Sequence, residues 1–136
     1  MRAARKIRIH CPISLDTFKA LLTGNLAAIE SDPTAAKMLA IIRAANPLGD
    51  FDLYRGVFEL SLGMEGFTPT ARAQPTEGKA GIPALSPTAV ITTYVDAGAD
   101  RGEVLAALDE LMRAHPWEVP VIELSDETIR LVQRCE

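Results

Sequence analysis

The residues best able to do chemistry here are two histidines, His10 and His115. An imidazole can trade a proton near neutral pH or bind a metal, but either task needs a partner group within reach. His115 has one nearby: Pro116 and Trp117 separate it from Glu118. If the two converge across that turn they could hold a metal or act as an acid–base pair. The same residues carry a structural reading, which comes first. A histidine at a helix C-terminus suits the exposed carbonyls and the dipole, Pro116 stops the helix, and Trp117 anchors the corner in apolar surroundings. His10 precedes Cys11 in a strand-like pattern, so their side chains leave opposite faces and do not share one metal. The simplest expectation is an exposed histidine beside a buried cysteine. The carboxylate pairs Asp109 with Glu110 and Asp126 with Glu127 read as solvated charge. No phosphate-binding glycine motif and no nucleophile-elbow motif occurs, so no catalytic residue, metal ligand or cofactor is assigned.

A second candidate region runs over residues 63–87, which hold four glycines and four prolines with little periodicity. Structureless stretches of that length are uncommon inside compact domains and are often functional. Gly63 would permit unusual backbone or close approach, Glu65 supplies a carboxylate, and Phe67 is an apolar anchor in polar surroundings. The plain reading of the segment is a flexible linker; the aromatic anchor favours an ordered lid or an oligomer-contact loop. The candidate ligand-binding residues are therefore His115, Trp117, Glu118, Gly63, Glu65 and Phe67.

These groups need a scaffold, and 136 residues suffice for one domain with one core. The apolar fraction of 48% and charged fraction of 24% are those of an ordinary globular protein. A net charge of −4 with scattered basic residues gives no reason to expect a nucleic-acid partner. The basic start runs into alternating residues instead of an apolar stretch, and no run reaches the length of a membrane span, so neither an export signal nor a membrane partner is expected. Cys11 and Cys135 lack metal-site spacing and are expected to be free thiols in a cytoplasmic protein.

Residues 6–11 alternate Ile7, Ile9 and Cys11 against Arg8 and His10, the pattern of a half-buried strand ended by Pro12. Ser14 stands as a helix cap before Leu15, Phe18, Leu21 and Leu22. Asp32 and Pro33 read as a fresh helix start, followed by the apolar stripe of Met38, Leu39, Ile41 and Ile42. Alternation over 52–62 predicts a long strand with Tyr54, Gly56, Phe58, Leu60 and Leu62 on one face. Residues 88–95 form the clearest β-rich run. Asp100 with Glu103 opens a helix through Val104, Leu108, Leu111 and Met112 that Pro116 ends. A last strand is predicted over 119–124, and 126–133 predict one or two helical turns. The order β, α, β, loop, β, α, β gives an α+β, ferredoxin-like split βαβ fold, an antiparallel sheet with helices on one face. The other face then needs cover.

Three segments together resemble the CutA-like domain of the YqfO family: FELSLGMEGFTP over 58–69, a proline with glycines at 75, 78 and 81, and HPWEVP over 115–120. The family pattern reads approximately G-x-G-x-F-x-P, P-x-x-G-x-x-G and H-P-Y-E-E-P. This sequence departs from it at Glu65, where a glycine falls one place late at Gly66, and at Trp117 and Val119. Residues 13–32 look like an extra helical insertion that could cover a sheet edge or face. The resemblance implies a ferredoxin-like domain that assembles as a homo-oligomer, a trimer favoured. In larger YqfO proteins such a domain is an insertion within a dinuclear-metal domain, whose metal ligands lie outside it, so that chemistry is not carried over. The first expectation is a non-enzymatic oligomeric domain with a regulatory or scaffolding role. A small-molecule or metal-ion sensor with clefts between subunits is the second, and a metal-dependent hydrolase the third.

Overall fold

A computed structural model describes residues 1–134; Cys135, read above as a free thiol, lies outside them. The chain runs β1 (Arg2–Pro12), α1 (Leu15–Leu22), α2 (Ala28–Ser31), α3 (Pro33–Arg43), β2 (Phe58–Phe67), β3 (Ala84–Asp96), α4 (Arg101–Ala114), β4 (Ile122–Leu124) and β5 (Ile129–Leu131). The sheet order is β2-β3-β1-β4 with every neighbouring pair antiparallel, and β5 also pairs with β1. This is the split βαβ arrangement expected from the element order, an α+β ferredoxin-like fold.

One face of the sheet makes the core. Ile7, Ile9 and Cys11 of β1 and Ala89, Ile91 and Val95 of β3 pack in one cluster with Met38, Leu39 and Ile42 of α3 and Val104, Ala107 and Leu111 of α4. The 13–32 insertion adds Ile13, Leu21 and Ile29 to that same cluster, so it thickens the helical side of the sheet. Asp32 fastens it. Its buried carboxylate caps α3 through the amides of Thr34 and Ala35, and also accepts from the Ser14 amide and the Thr17 hydroxyl. Four donors satisfy a charge that would otherwise be costly to bury.

The opposite face is mostly polar, with Val90 a buried apolar residue on it. Lys6, Arg8 and His10 of β1 alternate away from the core, as do Glu59 and Ser61 of β2 and Thr92 and Tyr94 of β3. Tyr94 donates to Glu59 at 2.7 Å, and Arg8 lies 3.5 Å from Glu123 of β4. Hydrogen bonding to Glu59 holds the Tyr94 hydroxyl up to about 12.

Three expectations are corrected. The second strand begins at Phe58, not near Asp52. Gly49 takes its strand partners instead: its amide donates to the Tyr94 carbonyl at 2.8 Å and its carbonyl accepts from Val57 at 3.0 Å. The chain between is thrown out as a loop with positive φ at Asp52 (66°) and Gly56 (61°). A side chain at Gly49 would meet Val57 backbone at 2.6 Å, so only glycine fits this crossing. The final strand is shorter than predicted, Ile122–Leu124, with Val119, Pro120 and Val121 outside it. Last, the terminal helical turns over 126–133 do not form. β1 starts at Arg2, and its first residues offer a free edge that Ile129–Leu131 fills, with Ala4 opposite Ile129. Ser125 makes the step between β4 and β5, exchanging bonds with Lys6 and donating to the Glu127 carbonyl.

Burial, then the nearby charges of Asp32 and Glu65, push the Cys11 thiol from 9.0 up to about 12. The folded state thus holds a proton that the unfolded chain releases above pH 9. The associated stability is complete below that pH and lost as pH rises toward 12, at about 1.4 kcal/mol per pH unit for one group. Urea unfolding between pH 8 and about 11 is expected to show wild type losing stability faster than Cys11→Ala. Equal slopes would contradict this account of Cys11.

Candidate functional site

Pairing of β1 with β3 ends at Pro12 opposite Thr88, while β2 and β3 stay paired as far as Phe67 opposite Ala84. The hairpin therefore outruns the central strand. Residues 63–67 and 84–87, read from sequence as loop, are strand. Gly66 explains part of this: Leu85 of the partner strand lies 3.3 Å from where its side chain would be. The real loop is 68–83, and it folds back, with the Gly81 amide bonded to the Pro69 carbonyl at 2.8 Å.

The loop lands on the corner after α4. Asp100 caps this helix by accepting from the Glu103 amide, and the His115 amide closes it by donating to Leu111. Pro116 disfavours helical backbone at the residue before it, and His115 is extended (φ −72°, ψ 134°). The buried His115 ring then leaves its own helix. Its Nε2 donates to the His10 carbonyl at 2.8 Å, and its Nδ1 accepts from the Trp117 amide at 3.2 Å. Because a carbonyl can only accept, these partners define the neutral Nε2–H tautomer. Both nitrogens are occupied by the chain itself. The carbonyl it serves lies on a strand, not at the helix end that sequence reasoning had it cap.

Trp117 is thereby aimed at the hairpin. Its ring centroid lies 5.1 Å from that of Phe67 at 59°, and 5.9 Å from that of His115 at 72°. Glu118 Oε1 accepts from the Gln74 amide, and the Thr76 hydroxyl donates to the Pro116 carbonyl at 2.7 Å. Gly78, at φ 87°, brings the loop against Phe67, whose ring would lie 3.3 Å from any side chain there.

Between these parts is a cavity of about 400 Å³, bordered by Glu65, Phe67, Pro69, Pro75, Trp117 and Glu118. Four of the six candidate residues meet there. The other two do not line it: Gly63 sits further down β2 opposite Thr88, and His115 stands behind Trp117. Sequence reasoning missed Val119 and Val121 on the border, since a strand start predicts no cavity. Pro69 and Pro75 had a signal in the motif spacing but had not been read as lining.

His10 is half-buried, its Nε2 without a hydrogen bond and 3.6 Å from Glu123. It meets His115 through its backbone carbonyl. Among the described residues no three His, Cys, Asp or Glu side chains come together in a way that could hold a metal ion. No helix there is long and apolar enough to cross a membrane.

No family model and no curated protein matches the chain. Among solved structures it is similar to a Bacillus cereus protein related to NIF3, with a TM-score of 0.58 and 16% identity over 93% of this chain. The chain spans 27% of that protein's length. The likeness is one of fold.

Replacing His115 by Ala removes the donor to a strand carbonyl and leaves Trp117 unsupported. Denaturant unfolding is expected to show a loss of about 1–3 kcal/mol. A loss below about 0.5 kcal/mol would mean the His10 carbonyl finds another donor at no cost.

Proposed function

We propose that this chain is a CutA-like domain of the YqfO type that binds a small molecule in the Phe67–Trp117 cavity and has a regulatory or scaffolding role, not a catalytic one. The observation carrying this is that the cavity joins three separate segments: the hairpin end, the 68–83 loop and the corner at 115–121. A ligand there touches all three and so can set the position of the loop. Its volume falls in the range of about 300–1,000 Å³ usual for small-molecule sites. His115, the strongest acid–base candidate, spends both nitrogens on the fold, which favours binding over proton transfer. A metal-ion sensor and a hydrolase have less support.

The assembly reading rests on a different observation. Among the described residues β2 has one partner strand, so its outer edge presents backbone groups unpaired there along ten residues, a template for a neighbouring chain. The mostly polar sheet face favours this edge over an apolar face as the contact, within a homo-oligomer that we take to be a trimer.

Trp117 is the sole tryptophan and reports on the cavity directly. Titrating a panel of nucleotides, divalent ions, amines and organic acids is expected to give a saturable emission change with a raised Tm for at least one class. Silence across the panel would overturn the binding reading. Light scattering on the same micromolar samples is expected to give the mass of three chains, and a monomer would count against the assembly.

A further inference from the structure

We infer that the cavity selects small organic cations, amines or quaternary ammonium groups, an inference that rests on the ligand-binding reading of this site. Its border carries three carboxylates, Glu65, Glu77 and Glu118, and no lysine, arginine or histidine. That potential repels phosphate and carboxylate ligands and attracts positive charge. Glu65 is half-buried, and its carboxylate accepts from the Thr88 hydroxyl at 3.3 Å, a long bond that leaves most of its acceptor capacity free. Glu118 spends one oxygen on the Gln74 amide and keeps the other.

The remaining walls decide which cation. Phe67 and Trp117, tilted at 59° with centroids 5.1 Å apart, form two sides of an aromatic corner. Ring faces attract a cation electrostatically, best when it is weakly hydrated and the ring is an indole. Pro69, Pro75 and Val121 complete an apolar lining. A hard divalent ion needs about six or more oxygen ligands and gains nothing from such walls. An alkylammonium group is suited to them: its methyl or methylene groups pack on the apolar surface while its charge faces the carboxylates.

The test uses choline and its uncharged carbon isostere, 3,3-dimethylbutan-1-ol, with pivalate as the anion, at constant ionic strength. Trp117 emission is followed in wild type, Glu65→Gln, Glu118→Gln and Phe67→Leu, each checked for native circular dichroism. Choline is expected to saturate the signal and to bind roughly tenfold or more tightly than the isostere, with pivalate silent. Glu65→Gln is expected to weaken choline by roughly tenfold and the isostere little. Phe67→Leu, which keeps apolar bulk but removes the ring face, should also narrow the gap between the two. Glu118→Gln supplies the charge test if Glu65→Gln fails to fold. Equal binding of choline and the isostere would overturn the inference while leaving the cavity a ligand site. Silence from all three probes would overturn it as well, and the cavity itself would then stand or fall on the broader panel.

Discussion

The β2–β3 hairpin is longer than the central strand beside it, and this mismatch governs the rest of the molecule. Past Thr88 the two strands lose β1 as a neighbour, yet pairing continues to Phe67 and Ala84. A two-stranded ribbon is marginal in water without something to pack against. Trp117 supplies that surface. Its placement depends on a chain of local causes: Pro116 ends α4, His115 turns its ring onto the His10 carbonyl, and the Trp117 amide binds the other ring nitrogen. The helix end, the strand edge and the hairpin tip are thus joined by one imidazole and two aromatic rings.

This arrangement gives the two sheet faces separate tasks. The helical face is a closed apolar core in which even the charged group, Asp32, has every role assigned. Cys11 within it is held protonated and is a poor nucleophile at neutral pH. The other face is mostly polar over the middle of the sheet and becomes concave toward the hairpin end, where the loop and the corner rise over Glu65 and Phe67. Beyond Phe67 the backbone is held by a few separate bonds instead of a sheet ladder, which is why we propose that end as the ligand site.

Much of the scaffold was legible in sequence because its signals are local. Ser14, Asp32 with Pro33, and Asp100 each cap a helix where spacing placed them, through bonds to amides two or three residues on. The alternation of Ile7, Ile9 and Cys11 found the core face of β1. The misreadings occurred where distant partners decide. Alternation over 52–62 ran on into a loop because Gly49 occupies the ladder position, something only the fold reveals. Glycines at 63 and 66 looked like loop residues, but register against β3 keeps them extended. The end of the chain became strand because β1 had an edge to fill. For the site, residue types pointed to Phe67, Trp117 and Glu118, but nothing local shows that positions fifty apart meet ring to ring.

By packing on Phe67, Trp117 fixes the corner whose Pro116 carbonyl and Glu118 carboxylate hold the 68–83 loop, and amide hydrogen exchange tests this most directly. In Trp117→Ala, the amides of Gln74 and Gly81 should exchange markedly faster than in wild type, while those of Ile9 and Ile91 in the sheet keep their protection. Unchanged exchange at Gln74 and Gly81, or equal loss of protection throughout the chain, would contradict it.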